Sequence, residues 1–259
     1  MKHPKILVGA PVTDLMEYCF DRFIESIRNL TYPSYDIFLV DNSKEDRFFN
    51  KVKGMGIPVE RIEFIDDPRV RLVKCRNMIR EKVIKGCYDY MYCADQDVIP
   101  PKTVLEDLLK HQKKVVSGVY YNITPEGKPI SVIRVPANED TFEEDNLVRP
   151  LTEEEMKTPR LVRVGLNGTG CLLIHRSVLQ RIKFRNELNA PIWDDTTFAM
   201  DCIRNKIPMF ADIGIKCDHL LKEKPWNWKI KAERTDDGGL SVKKIVISPK
   251  SDKDQMYYY

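Results

Sequence analysis

The feature that most restricts this chain is an alternation of short apolar runs with helical patterns, sustained to about residue 220. KILVGAPV (5–12) reads as a buried strand. Met16, Phe20, Phe23, Ile24, Ile27 and Leu30 then recur at helical spacing, the stripe of an amphipathic helix. YDIFLV (35–40) is a second strand and Arg69 to Val73 a third candidate, with a helix from about Arg76 to Gly86. YDYMYCA (88–94) is a strand, and Pro100-Pro101 opens a helix, where the missing proline N–H is no loss. Val115 to Tyr121, Leu161 to Val164, Gly170 to His175 and Pro208 to Ile213 complete the strands, with helices from Ser177 and over 194–205. Strands alternating with helices build βαβ units, so the expected fold is α/β with a mainly parallel central sheet. In such sheets ligands bind beyond the carboxyl ends of the strands.

The 259 residues fit one large α/β domain, and 42% hydrophobic content supplies its core. A net charge of +3 is too mild for a nucleic-acid binder, though it allows a local basic patch facing phosphates. The 7 cysteines are odd in number, form no Cys-x-x-Cys pair and sit mostly in apolar runs. They read as free thiols in a reducing, cytoplasmic compartment. Met1-Lys2-His3-Pro4 leads straight into a strand, so no signal peptide is expected. No apolar stretch nears the ~20 residues that span a bilayer, which leaves peripheral membrane contact only.

Two segments break the alternation. Residues 122–160 are rich in Pro, Glu, Asp and Thr and lose periodicity, reading as a long surface excursion within a domain spanning 1–221. Residues 222–259 form a basic, aromatic tail in which Lys222, Lys224, Lys229 and Lys231 interleave with Trp226 and Trp228. Such a tail closes over phosphates, rests on an anionic membrane surface, or is a solvated face with two packed indoles.

Acidic residues cluster where ligands belong. Asp95-Gln96-Asp97 follows an apolar strand, and two carboxylates one residue apart at a strand end can chelate Mg²⁺ or Mn²⁺ beside substrate phosphates. Acids capping the next helix are the plain alternative. Asp194-Asp195 opens a helix, as a cap or as a general base for an acceptor hydroxyl. His219 follows Cys217-Asp218, and no second Cys/His pair at zinc spacing accompanies it. GLNGTG (165–170) is neither a dinucleotide nor a P-loop motif, since a strand follows it. Its glycines let the backbone turn tightly beside a ligand.

In order, ILVGAPV, FLVDNS, an Arg-Asn helix start, CADQDVIPP, GTGCLLIHRSVL, WDDTTF and a final strand leading to His resemble glycosyltransferase family 2 and its GT-A relatives, over roughly Lys5 to Leu220. The resemblance implies a GT-A, Rossmann-like fold and an enzyme moving sugar from a UDP- or GDP-linked donor to a glycan, lipid-linked or small-molecule acceptor. It implies that Pro11 lies beside the nucleotide and that Asp41 accepts a hydrogen bond from the base. Arg76 and Asn77 match an Arg-Asn pair near the donor. Asp95 and Asp97 match the DxD motif, with Asp97 the direct ligand of Mn²⁺ or Mg²⁺ and His219 completing the metal site. Gly168 and Gly170 match a segment lining the sugar pocket. Asp194-Asp195 matches a Glu-Asp pair whose second member is the base of inverting enzymes, and Asp in place of Glu keeps Asp194 as second suspect. Rival readings are a retaining transferase, a nucleotidyltransferase and a non-catalytic sugar-nucleotide-binding protein. Gly9-Ala10-Pro11-Val12 lacks the Arg-containing loop of the second, and the third is expected to have lost the acids kept here.

Overall fold

The computed structural model describes residues 3–123, 128–187, 190, 192–221, 224–234 and 240–249. The chain runs β1 (Ile6–Val12), a 3₁₀ turn (Asp14–Met16), α1 (Glu17–Arg28), β2 (Tyr35–Asp41), α2 (Asp46–Gly54), β3 (Val59–Arg61) and α3 (Pro68–Lys85). It continues through β4 (Tyr90–Ala94), β5 (Val98–Ile99), α4 (Val104–Leu109), β6 (Val115–Val119), β7 (Tyr121–Ile123), β8 (Pro129–Ser131) and β9 (Arg134–Pro136). Then come α5 (Phe142–Asp145), β10 (Val148–Pro150), α6 (Glu153–Lys157), β11 (Leu161–Val164), β12 (Cys171–His175), α7 (Arg176–Leu179) and α8 (Asp194–Arg204). β13 (Met209–Lys216), β14 (Asp218–His219), β15 (Trp226–Arg234) and β16 (Leu240–Pro249) close the described part.

Eight strands form the central sheet, in the order β11-β13-β6-β12-β4-β1-β2-β3. β4, β1, β2 and β3 are mutually parallel, as are β13 and β6. β12 runs antiparallel between β4 and β6, and β11 antiparallel at the edge. The inner strands are apolar on both faces because both are covered. Leu7, Met91, Cys93, Leu172 and Ile174 face a layer built from Ile79 and Val83 of α3, Leu179 of α7 and Phe198 of α8. Ile6, Val8, Tyr92 and Leu173 face the opposite layer, with Phe20 and Phe23 of α1, Phe48 of α2 and Leu105 of α4. Each such side chain, fully withdrawn from water, contributes about 1.5–3 kcal/mol. At Gly9 a Cβ would collide with Ile79 Cγ2, so α3 packs directly against β1 there. β1 has β2 on one side and β4 on the other, and between β1 and β4 the order reverses, the place where ligands bind in open α/β sheets.

Three readings change. Arg69 to Val73 is helical, not a strand, because Asp67 caps α3 by accepting from Arg69 N and Pro68 occupies the first turn. The apolar stripe was hidden because α3 buries Arg69, Arg71, Arg76 and Arg80. The third strand is instead β3. The excursion at 122–160 carries short strands and helices, and its own Ile133, Val135, Phe142 and Leu151 are buried. In the tail, β15 and β16 pair antiparallel from Trp226↔Pro249 to Arg234↔Leu240. Lys222 lies outside the described residues, as do the side chains of Trp226, Trp228, Lys229 and Lys231. All seven cysteines are free thiols. Among the described residues no helix is long and apolar enough to cross a membrane.

Candidate active site

A cavity of about 530 Å³ opens beyond the ends of β1 and β4. One end is walled by Pro11, Thr13, Leu15, Asn42, Arg71 and Leu72. Its middle carries Arg76, Asp95, Gln96, Asp97, His219 and Lys224. The far end carries Tyr120, Asn122, Arg134, Trp193 and Asp195.

The two acids of the strand-end motif have different partners. Gln96, between them, points away: its Nε2 donates to Met16 O at 2.8 Å and its Oε1 accepts from Thr13 N at 2.8 Å. That bond pair fastens the loop after β1. Asp95 Oδ1 accepts from Arg76 Nη2 at 2.8 Å. The same nitrogen donates to Thr169 Oγ1 at 2.7 Å, while Arg76 Nε meets Asp194 Oδ2. Arg76 is 2% exposed, and its Nη1 has no hydrogen-bond partner among the described residues, leaving a buried donor at the cavity wall. Burial opposes its charge, but Asp194 and Asp95 hold its pKa well above the ordinary value. Burial, reinforced by Asp97, raises Asp95, with Arg76 opposing.

Asp97 faces the other way. β5 and β14 form a two-stranded ladder pairing His219 with Val98, which brings the imidazole to Asp97 Oδ2 at 3.4 Å. His219 Nδ1 lies 3.0 Å from Tyr121 O, and its ring packs edge-on against Tyr120, centroids 5.1 Å apart. Burial pushes the Asp97 carboxyl up, yet the His219 hydrogen bond and charge, with Lys224, bring it below the usual carboxylate value.

Asp195 is the second residue of α8, whose N-cap is Trp193. Its Oδ1 accepts from Thr196 N at 2.6 Å. Burial first, then the charge of Asp194, pushes its pKa up to about 6. A carboxyl at that value is poised for proton transfer near neutral pH.

Pro11, Arg76, Asp95, Asp97, Asp195 and His219 therefore meet at one cavity. The structure does not bring the other expected residues to it. Asp41 is fully buried, its Oδ1 accepts from Ser43 N and Oγ, and Asn42 lines the cavity instead. Asn77 is turned onto Phe184, donating to its O at 2.8 Å and accepting from its N at 3.1 Å. Asp194 sits behind Asp195, committed to Arg76. Gly168 makes room for Tyr120, whose hydroxyl and ring a Cβ there would strike; a Cβ at Gly170 would meet Val98 Cγ2 first, then Asp95 Oδ2 and the Tyr120 ring, and Gly170 N donates to Tyr120 Oη at 3.0 Å. Sequence reasoning missed Tyr120, Arg134, Gln96 and Arg71. Only Gln96 carried a signal, as the middle residue of the acidic motif.

The family described as Glycosyl transferase family 2 matches residues 19–183. The mannan polymerase II complex anp1 subunit of Schizosaccharomyces pombe is 27% identical over 157 residues, 47% of this chain and 36% of the relative. The chain thus spans about a third of that relative's length. Among solved structures, GalNAc-T7 with UDP, GalNAc and Mn²⁺ is similar with a TM-score of 0.61 at 12% identity, covering 83% of this chain and 44% of that one. S. aureus TarS 1-349 in complex with UDP-GlcNAc gives 0.51 at 16% identity, covering 83% and 55%. These likenesses are of fold, the GT-A arrangement of a large, mostly parallel sheet. With 19–183 matched, strand ends in the expected order and the acids facing one cavity, the chain belongs to glycosyl transferase family 2.

Proposed function

We propose that this chain is a metal-dependent glycosyltransferase, taking a sugar from a UDP- or GDP-linked donor to an acceptor hydroxyl with inversion, Asp195 acting as base. The observation that carries this reading is the convergence of the Asp97–His219 pair and Asp195 on one cavity at the sheet's switch point. The similarity to GalNAc-T7 with UDP, GalNAc and Mn²⁺ and to TarS with UDP-GlcNAc supports a nucleotide-sugar donor.

The residues fit a divalent cation on their own chemistry. Tyr121 O only accepts, so His219 Nδ1 carries a hydrogen, and the second ring nitrogen, Nε2, faces Asp97 Oδ2 at 3.4 Å. The nitrogen and the carboxylate oxygen share a proton or, once that proton has left, offer two ligands to a metal ion. A carboxylate and an imidazole oriented by a backbone carbonyl suit Mn²⁺ or Mg²⁺. Among the described residues no cluster of three or more His, Cys, Asp or Glu side chains forms, so a bound ion would need donor phosphates and water to complete its coordination. When bound, the ion supplies positive charge against the leaving diphosphate.

The chain's own residues do the rest. Asp195 removes the acceptor proton, Trp193 and Arg134 form the wall against which the acceptor rests, and Arg76 holds Asp95 in place from behind. Calorimetry with UDP and GDP, each with Mn²⁺ and Mg²⁺, tests the metal assignment. Asp97→Ala should lose most metal-dependent nucleotide binding. Unchanged binding in that variant would sink it.

A further inference from the structure

Lys224 is a buried cation in this cavity that the scheme above leaves unused. It is 6% exposed, and lysines are almost never so buried without an anion nearby. The chain path puts it there. Leu220 N donates to Asp97 O at 2.8 Å, Leu221 N to His219 O at 2.9 Å, and Lys224 N to Leu221 O at 3.3 Å. These bonds fold the chain back after β14, so Lys224 joins Asp97 and His219 in the wall, within electrostatic reach of Asp97.

The other cations of the wall stand in different places. Arg76 lies between Asp194 and Asp95. Arg71 and Arg134 direct Nη1 to the backbone carbonyls of Ile65 and Ser131, at opposite ends of the cavity. Among the described residues Lys224 is the only lysine lining the cavity, and it stands beside the Asp97–His219 pair. An ammonium on a flexible four-carbon stem is a compact point charge with three donors, well suited to a phosphate whose charge changes during reaction.

We propose that Lys224 binds the donor's diphosphate and stabilises the charge left on it as the glycosidic bond breaks. This rests on the functional reading above. In the transfer the acceptor oxygen bonds to the anomeric carbon and its proton passes to Asp195. The bond from that carbon to the phosphate oxygen breaks, and its electron pair stays on the diphosphate. The contact strengthens as that charge grows, so Lys224 acts on turnover as well as on binding.

The test compares wild type with Lys224→Met and Lys224→Arg, using calorimetry with UDP against UMP and GDP against GMP in Mn²⁺. A charge-assisted contact predicts that Lys224→Met weakens the diphosphate about ten- to hundredfold, the monophosphate about twofold or less, and that Lys224→Arg recovers most of the loss. Nucleotide-sugar hydrolysis should fall by at least the same factor. Were Lys224 only a counter-ion to Asp97, its removal would tighten Mn²⁺ binding and leave diphosphate affinity equal or higher, which overturns the proposal. Equal losses for diphosphate and monophosphate overturn it too. Thermal melting checks that the variant folds. Should Lys224→Met not fold, Lys224→Gln, which is polar and uncharged, carries the same comparison. A wild type that binds none of the four nucleotides overturns the functional reading and this proposal with it. A wild type that binds, with Lys224→Met indistinguishable from it, overturns this proposal alone.

Discussion

The two ends of the cavity are built from different kinds of structure. The end proposed to take the donor stands on the central sheet: Pro11 is the penultimate residue of β1, Asn42 follows β2, and Asp95 to Asp97 follow β4. Its middle is held by buried charge, with Arg76 bonded to Asp194, Asp95 and Thr169 from three separate segments. The end proposed to take the acceptor draws in part on short pieces outside that sheet. β7 pairs with β8, β9 pairs with β10, and Asn122 and Arg134 come from them. A side chain at the end of a long, twice-paired strand is fixed by many ladder bonds, while one on a three-residue strand depends on local contacts. The arrangement suits a fixed site for the common part of the reaction and an adaptable one for the part that differs between enzymes.

Asp195, at the far end, gives the largest expected effect when its basicity is removed. Asp195→Asn keeps the shape and loses the basicity, so transfer should drop by about 10²–10⁴-fold with nucleotide binding intact. Near-normal transfer, or a product that retains the donor's anomeric configuration, would dismiss Asp195 as base. Asp194→Asn, measured beside it, should act mainly through Arg76.

The buried network of the middle should show in stability. Arg76→Met leaves Asp194 buried without its counter-charge, and truncating one partner of a buried pair costs about 3–5 kcal/mol. Urea denaturation measures this. A loss under about 1 kcal/mol would mean that the network does not hold the site together.

A pH profile links the ends. Asp195 is raised to about 6 by burial and by Asp194, and a base works only when deprotonated. The rate kcat/KM should therefore rise with pH up to about 6 and level off above it, falling roughly tenfold per unit on the acid side. Asp195→Asn should lack this limb. A wild-type profile flat between about pH 5 and 7 counts against the assignment.

The smallest effect belongs to the acceptor wall. Arg134→Gln should lower transfer to a glycan array several-fold while donor hydrolysis, with water as acceptor, stays unchanged. Parallel losses in both assays would place Arg134 with the donor instead.

How much of this was legible in the sequence follows the same division. The acids after β4 were readable because apolar runs in a covered parallel sheet are continuous, and the residues that break this run stand at the ligand face. Arg69 to Val73 misled because α3 buries arginines on its inner face, so its apolar pattern reads poorly at any period. Asp41 and Asn42 differ by one position, and only the backbone's turn after β2 sends the first inward and the second to the cavity.

By itself the sequence determined the α/β class, the core strands, and that acids would stand at the ends of β2 and β4. Those outcomes need only local pattern and the burial of apolar side chains. Tertiary structure decided which acid meets which partner. Asp95 turns to Arg76 because α3 crosses behind β4, and Asp97 turns to His219 because β14, from far along the chain, pairs with β5. Lys224 enters the cavity for the same reason: three backbone bonds after β14 fold the chain back, and no spacing in the sequence announces them. Contacts between distant segments depend on how whole elements pack, which local periodicity does not encode.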